Sequence, residues 1–311
     1  MHKTNRIVGK DFSRMFKYSV DELPQIFLSA LEKVETTYRD ANLEEFQEYA
    51  LEVLKKNSDP YITRTAEENL EAFEKGWEEN LEILKQEGLS SESLRPKYFR
   101  PNKFLRYDKK LIISDNLALE YDLFNLARYL IFLRYLAPYE EIYELGCGSC
   151  QNLLLLSELF PAKRLFGLDW ASSSVEIANL LARKFNKNVE GMPFDLLNPP
   201  PRNIFKPGSA VITIHSLEQI GTHYAKLLSL LTDSKLGLVL HYEPVMEFYD
   251  ENNLLDYLAV MYSRKRNYLS GFLTSLRHLH EEGKIELLGA WRPYLGGVLH
   301  ESSLIIWRPI H

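Results

Sequence analysis

Residues 144–150 read Glu144-Leu-Gly-Cys-Gly-Ser-Cys150, and this segment is the strongest indication of the fold in the chain. The apolar run at 141–145 before it has the length and composition of a short buried strand, and a helical pattern starts at Asn152. Glycines at 146 and 148 allow backbone torsions that other residues avoid and let the chain approach a ligand closely. The sequence therefore predicts a strand, a glycine loop and a helix in succession, with a ligand against the loop.

Strand and helix patterns alternate from this loop to the C-terminus. The predicted strands are 141–145, 164–169, 188–190, 210–214, 236–241, 284–291 and 302–307. Such alternation is typical of a doubly wound α/β fold, a mostly parallel sheet with helices on both faces. The last two strands, joined by a Gly296-Gly297 turn, form a hairpin. We therefore predict a seven-stranded sheet with an antiparallel C-terminal strand.

The first 116 residues have a different pattern. Stretches with apolar residues at three- and four-residue steps predict helices, and no strand is predicted before about residue 140. The segment 90–119 is basic and aromatic without periodicity, so we expect a surface connection. Arg100, Arg106 and Tyr107 are candidates to close over a ligand, and a solvated loop is the alternative. The predicted division is a helical N-terminal cap at 1–116 and a ligand-binding domain at 117–311.

Composition and charge exclude several classes of protein. The chain has 311 residues, and its hydrophobic share of 45% is enough for a packed core. A net charge of −6 disfavours a protein whose main task is to bind DNA. The two cysteines, Cys147 and Cys150, are too few for a disulfide framework and suit a reducing compartment. The apolar stretch 117–137 is interrupted by charges and the start shows no secretory signal, so we expect a cytoplasmic protein without a membrane span.

Acidic residues stand at the ends of three successive predicted strands. Glu144 ends the first strand, Asp169 ends the second, and Asp195 follows the third, directly after Phe194. Carboxyl ends of parallel strands meet at one edge of a sheet, where ligands bind. An acid before the glycines suits a cationic ammonium group, an acid at the second strand can accept from ribose hydroxyls, and a ring beside an acid suits adenine. A dinucleotide fingerprint would need glycine at position 151, which is Gln151.

The order Glu144-Leu-Gly-Cys-Gly, Phe166-Gly-Leu-Asp169 and Met192-Pro-Phe-Asp195 resembles that of class I S-adenosylmethionine (SAM)-dependent methyltransferases, over about residues 117–311. The resemblance implies SAM as cofactor, with its methionine part on the first segment, ribose on the second and adenine on the third. The cofactor-binding residues predicted on this basis are Glu144, Gly146, Cys147, Gly148, Asp169, Trp170, Phe194, Asp195 and His215. Cys150 stands where the family commonly has a third glycine.

The acceptor pocket is expected over the ends of the fourth and fifth predicted strands. Two candidate segments lie there, His215-Ser-Leu-Glu218 and His241-Tyr-Glu243. Histidine is the natural general base near neutral pH, and a neighbouring glutamate can orient it, hold an amine or take a proton. His215, His241, Glu243 and Glu218 are therefore the candidate catalytic residues, and no metal ligand is predicted. The alternative is that one or both histidines form hydrogen bonds that only cap strand ends.

The predicted function is transfer of a methyl group from SAM to an oxygen or nitrogen atom of a small molecule. The acidic pI of about 5.8 and the long helical region before the core favour a small acceptor. Alternatives are a protein or RNA methyltransferase that docks through its N-terminal region, and a SAM-binding protein without catalysis. The glycine loop alone also leaves NAD binding and a redox role of Cys147-Gly-Ser-Cys150 open. The basic run Arg264-Lys-Arg266 is interpreted as a solvated helix face.

Overall fold

The structure, a computed structural model, describes residues 4–63, 66–201 and 203–311. In these ranges the helices are α1 (Gly9–Phe16), α2 (Gln25–Leu31), α3 (Leu43–Asn57), α4 (Ala66–Glu87), α5 (Leu119–Tyr135), α6 (Gln151–Leu159), α7 (Ser172–Phe185), α8 (Ala225–Asp233), α9 (Leu254–Lys265) and α10 (Phe272–Glu281). The strands are β1 (Asn5–Arg6), β2 (Thr37–Asp40), β3 (Phe104–Tyr107), β4 (Lys110–Ile113), β5 (Glu141–Leu145), β6 (Arg164–Asp169), β7 (Val189–Pro193), β8 (Ala210–Ile214), β9 (Leu238–Glu243), β10 (Ile285–Trp291), β11 (Leu295–Gly296) and β12 (Ser303–Pro309).

The larger sheet has the strand order β10-β12-β9-β8-β5-β6-β7. Strands β5 to β9 pair in parallel, whereas β12 is antiparallel to both of its neighbours. The chain runs from β5 through β6 to β7 and then returns to β8 and β9 on the other side of β5. The order therefore switches at β5, where ligands bind in open parallel sheets. The predicted fold class, including the antiparallel C-terminal strand, is confirmed.

Successive residues of the central strands bury opposite faces of this sheet. Ile142 and Ile212 pack into a cluster with α5, α6 and α7, while Tyr143 and Val211 pack into a second cluster with α8 and α10. Strands buried on both faces read as continuous apolar runs, which is why β5, β8 and β9 could be located from the sequence. The layers hold the carboxyl ends of these strands at one edge of the sheet.

The N-terminal region contains a small antiparallel sheet that the sequence pattern does not predict. Its order is β1-β2-β4-β3-β11. The prediction of a surface connection at 90–119 is wrong for the hairpin of β3 and β4, in which Arg106 and Tyr107 are buried. From the sequence, Arg106 is expected at the surface, because the acids that pair with its charge come from distant parts of the chain. Strands β3 and β11 join the two predicted domains in one sheet, and the boundary at 116 remains a prediction.

The connection between β10 and β12 is longer than the predicted glycine turn. The two strands do pair, but residues 292–302 first run to the small sheet, where β11 pairs with β3. The prediction of a simple Gly296-Gly297 turn is therefore wrong. This detour carries His300 and Ser302 to the edge of the large sheet, next to His215.

Two arginines and two acids form a buried ion cluster that joins the small sheet to the rest of the protein. Arg106 Nε lies 3.2 Å from Glu301 Oε1, and its Nη2 lies 3.0 Å from Asp256 Oδ1. Arg292 pairs with the same two acids, with its Nη2 2.6 Å from Asp256 Oδ1. Buried charges are tolerated only when they are paired in this way. The cluster anchors the segment that carries His300.

No helix within the described ranges has the length and apolar character needed to cross a bilayer.

Candidate functional site

The glycine loop turns from the carboxyl end of β5 into α6. Gly146 and Gly148 have φ of +74° and +52°, in the left-handed region. A Cβ at Gly146 would lie 2.4 Å from the Cβ of Ser216, and one at Gly148 would lie 2.8 Å from the ring of Trp77. Cys150 also has a left-handed φ of +61°, so its side chain adds strain where the resemblance expects glycine. Torsion and space therefore both require glycine at 146 and 148.

A cleft of about 520 Å³, including its open mouth, lies beside the loop. Besides the two glycines, its lining includes Asp169, Trp170, Phe194, Asp195 and His215. These residues end or follow β5, β6, β7 and β8, so the cleft lies at the predicted edge, where the carboxyl ends of the strands meet. The structure thus brings most of the predicted cofactor residues together, although they are far apart in the chain.

The two aspartates of the cleft are oriented by backbone donors. Asp169 Oδ2 accepts from Gly148 N at 2.8 Å, and its Oδ1 accepts from Ala171 N at 2.9 Å. Burial raises the pKa of Asp169 to about 6. Asp195 Oδ1 accepts from Leu197 N at 2.8 Å in its own turn. Because each carboxylate oxygen has two lone pairs, both aspartates can still accept from a ligand.

Glu144 is fully buried and lines neither the cleft nor the chamber beyond it. Its Oε1 accepts from Asn152 Nδ2, and the Oδ1 of Asn152 accepts from Arg128 Nη1. Its Oε2 has no hydrogen-bond partner, and burial raises the pKa of Glu144 to about 8. Contact of this carboxyl with a ligand ammonium therefore stays a prediction, supported by the unused oxygen. Cys147 lines the chamber but not the cleft.

Helix α4 of the N-terminal region covers the glycine loop. The rings of Phe73 and Trp77 stack with centroids 6.2 Å apart, and both line the cleft. Glu74 on the same helix accepts from Ser172 N at 2.7 Å and from Ser173 N at 2.8 Å, at the first turn of α7. Backbone N–H groups at a helix start lack partners in the helix, so a carboxylate stabilises them. Nothing in the sequence marks these residues as part of a site, because their spacing is also that of an ordinary core-facing helix.

A larger chamber, of about 2,040 Å³ including its open mouth, adjoins the cleft. The residues common to both cavities are Phe73, Trp77, Gly146, Gly148, His215 and Gln219. Aromatic side chains form much of the chamber wall, among them Tyr98, Phe124, Tyr262 and Tyr268. Arg266 also lines it, so the interpretation of the basic run as a solvated face is wrong for this arginine.

His215 stands where the cleft meets the chamber. Its backbone is left-handed, with φ of +56°, and its Nε2 lies 2.6 Å from Ser302 Oγ. Its Nδ1 lies 3.8 Å from Glu218 Oε2. Burial, with a smaller effect of Arg128, lowers the pKa of His215 to about 4, so the ring is neutral near pH 7.

Glu218 and His300 face the chamber beside His215. Glu218 Oε1 accepts from Gln219 Nε2 at 2.7 Å, whereas its Oε2 has no hydrogen-bond partner. Burial and the nearby Glu243 raise the pKa of Glu218 well above its usual value. The ring of His300 lies 5.8 Å from that of His215, and its Nδ1 is buried without a partner. Nothing local marks His300 as a site residue, since it lies in the irregular segment between β11 and β12.

His241 and Glu243 do not face the chamber. Trp307 Nε1 donates to His241 Nε2 at 2.9 Å, and His241 Nδ1 bonds to Thr213 Oγ1 at 2.8 Å. The expectation that His215 and His241 share one site is therefore not met. Both ring nitrogens of His241 are occupied, which favours the alternative role of a hydrogen-bonded strand residue. Glu243 Oε1 accepts from Ser216 N and from Leu217 N, each at 3.1 Å, so it positions the turn that carries Glu218.

The two cysteines lie within the loop as buried free thiols. Their Sγ atoms are 3.8 Å apart. The hydrogen bond with the Cys150 thiol and burial raise the pKa of Cys147, and burial raises the pKa of Cys150, so neither is an activated thiolate. In the part of the chain that the structure describes, no group of three or more histidine, cysteine, aspartate or glutamate side chains is arranged to hold a metal ion.

No family model and no curated protein matches the chain. Solved structures resemble it in part. The [4+2]-cyclase SpnF has a TM-score of 0.48 and 13% identity over 80% of this chain and 98% of its own. A geranyl diphosphate methyltransferase in complex with SAM has a TM-score of 0.45 and 14% identity, over 62% of this chain and 89% of its own. A third structure is an O-methyltransferase from the trans-AT PKS multienzyme of Brevibacillus brevis in complex with S-adenosyl-L-homocysteine. It has a TM-score of 0.42 and 12% identity, over 58% of this chain and 70% of its own. Likeness at this level assigns no activity.

Proposed function

We propose that this protein is a SAM-dependent methyltransferase that acts on an oxygen or nitrogen atom of a small molecule. The observation that carries the proposal is the continuity of two cavities at His215. On one side lie Asp169, Trp170, Phe194 and Asp195, which suit an adenosine. On the other side lies a chamber lined by polar groups that can receive a proton. A methyl donor and an acceptor would meet at this junction.

The residues of the cleft fit the adenosine part of SAM. The Asp169 carboxylate can accept from two ribose hydroxyls, and the rings of Trp170 and Phe194 offer flat apolar faces. Asp195 offers an acceptor for an exocyclic amine. When bound, SAM supplies an electrophilic methyl group on a sulfonium. The protein holds the reactants in line and takes up a proton, which is where most of its catalytic effect would arise.

The shape of the chamber favours a small acceptor over a polymer. Its wall is built by Tyr98 and Phe99 from the N-terminal region and by Tyr262 and Tyr268 from the segment after β9. An acceptor would therefore be enclosed between the two parts of the chain. His215, whose ring is oriented by Ser302, would lie next to the reacting atom.

Calorimetry with SAM and with S-adenosylhomocysteine tests the cofactor assignment. The wild-type protein is expected to bind both, and Asp169→Ala to weaken binding at least about tenfold, because hydrogen bonds to a charged group are lost. Asp115→Ala, an exposed aspartate, is the matched control and should bind as wild type. No binding by wild type, or binding unaffected by Asp169→Ala, would refute the assignment.

Turnover separates the enzyme alternatives. Formation of S-adenosylhomocysteine is measured with a metabolite panel and, in parallel, with RNA and protein extracts. Turnover with metabolites supports the proposal, and turnover with RNA or protein extracts alone overturns the small-molecule acceptor. SAM binding without turnover on any of them favours the binding protein without catalysis. Mass spectrometry of the ligand carried through purification is the first and simplest measurement.

A further inference from the structure

One carboxyl group on the chamber wall has a hydrogen-bond donor on only one of its two oxygens. Glu218 is 5% exposed and lines the chamber, and its Oε2 accepts no hydrogen bond. A buried carboxyl oxygen without a donor is costly, and the nearby Glu243 adds electrostatic repulsion. By contrast, Glu52, which also lines the chamber, is paired with a cation: its Oε1 lies 2.9 Å from Lys56 Nζ. A hydrogen-bond donor on a ligand would relieve this cost at Glu218.

The surroundings of Glu218 favour a ligand with positive charge. The rings of Tyr262 and Tyr268 stand edge to face, 5.9 Å apart, and both line the chamber. The faces of such rings attract cations. Arg266 is also on this wall, but its Nη1 donates to Ile62 O at 3.0 Å and its guanidinium stacks 5.3 Å from the Tyr268 ring centroid. Arg266 therefore makes no hydrogen bond to Glu218 Oε2, although its charge acts to lower the pKa of Glu218.

Glu218 is also the more basic of the two proton acceptors at the junction. Burial raises the pKa of Glu218 and lowers that of His215 to about 4. A nitrogen that is methylated gains positive charge as the bond forms, and a nearby carboxylate with aromatic faces stabilises that charge. An alcohol would instead depend on a strong base, and His215, with its Nε2 bonded to Ser302, is a weak one.

We propose that the acceptor is an amine carried on an aromatic ring system, and that Glu218 holds its nitrogen at the junction of chamber and cleft. The inference rests on the proposed function. The nitrogen lone pair forms the new N–CH₃ bond, while the S–CH₃ bond breaks and its electron pair stays on sulfur. The N–H proton passes to the Glu218 carboxylate and then to solvent. Glu218 is thus both a binding group and the proton acceptor.

The test uses three probes that differ only in their polar group: benzylamine, benzyl alcohol and benzoate. Each is titrated by calorimetry into the full-length protein saturated with S-adenosylhomocysteine. Benzylamine is expected to bind at least about tenfold more tightly than either of the others, since a hydrogen bond to a charged group is gained. In Glu218→Gln this preference should fall by about ten- to a hundredfold, with S-adenosylhomocysteine affinity unchanged.

Glu52→Gln is the matched control, because this acid also lines the chamber but is ion-paired and 41% exposed. It should keep the preference for benzylamine. Preferential binding of the alcohol or of benzoate, binding of none of the probes, or a Glu218→Gln protein with the wild-type preference would each overturn the inference. Failure of wild type to bind S-adenosylhomocysteine would instead refute the proposed function, so the two failures are distinct.

Discussion

Replacing Arg106 by methionine should destabilise the protein through its buried ion cluster. The guanidinium is completely buried and contacts two acids, Glu301 and Asp256. It also donates from Nη1 to Leu255 O at 2.8 Å and bonds to the Tyr49 hydroxyl at 3.2 Å. Methionine has a similar length and no charge, so it leaves both acids with a single remaining arginine.

The size of the effect follows from the burial of the cluster. Removal of one partner from a buried ion pair costs about 3–5 kcal/mol, and the lower end applies because Arg292 still contacts both acids. For a chain of this length the entropy of unfolding is about 0.65 kcal/mol/K, so about 3 kcal/mol lowers Tm by about 5 °C. SAM affinity should not change, because the cleft has no residue in common with the cluster.

Thermal unfolding followed by circular dichroism measures this shift, with Arg14→Met as the matched control. Arg14 pairs with Asp108 at 2.7 Å, but the two side chains are 55% and 43% exposed. Such surface pairs contribute about 0–1 kcal/mol, so Tm should fall by less than about 2 °C. Equal Tm shifts for the two variants would show that the cluster does not stabilise the fold as its burial implies.

Two further predictions concern the cleft. Burial raises the pKa of Asp169 to about 6, so its carboxylate is protonated as the pH falls through this value. SAM affinity should then decrease below about pH 6, because one acceptor for ribose is lost. The decrease should be absent in Asp169→Asn. A wild-type affinity that calorimetry finds constant between about pH 5 and pH 8 contradicts this prediction. Glu74→Gln should lower Tm by about 1–2 °C and weaken SAM binding several-fold, because a charged cap of α7 is lost. The exposed Glu79→Gln on the same helix is its control, and equal effects of the two variants on SAM binding contradict the role of Glu74.

The cleft could be predicted largely from the sequence, because each of its parts is a local pattern. An apolar run, two glycines and a helical pattern specify the loop, and acids at strand ends must meet at one edge of a parallel sheet. Gly146, Gly148 and Asp169 follow from these rules without knowledge of any long-range contact. The ligand contact of Glu144 stays a prediction, since its place near a strand end does not reveal that its side chain bonds to Asn152.

The chamber could not be predicted in the same way. His215 and His241 stand at the ends of neighbouring predicted strands and look alike in the sequence, although β9 continues to Glu243. They differ because His241 faces the cluster formed with α10, whose Phe272 ring lies 4.9 Å away, whereas His215 lies beyond the end of its strand in a left-handed turn. Which groups a strand residue meets depends on the layer packed on that side, and that layer comes from a distant part of the chain.

The alternating α/β order, the glycine loop and the acids that follow successive strands can be predicted from the sequence, because neighbouring residues set these features. Long-range packing places α4 over the loop and brings His300 to His215 through the detour 292–302. It also makes Arg106 an interior residue. These arrangements depend on contacts between residues far apart in the chain, such as Glu74 with Ser172, 98 positions away, and Arg106 with Glu301, 195 positions away. Local spacing carries no record of such contacts, because they form only when the packed layers meet.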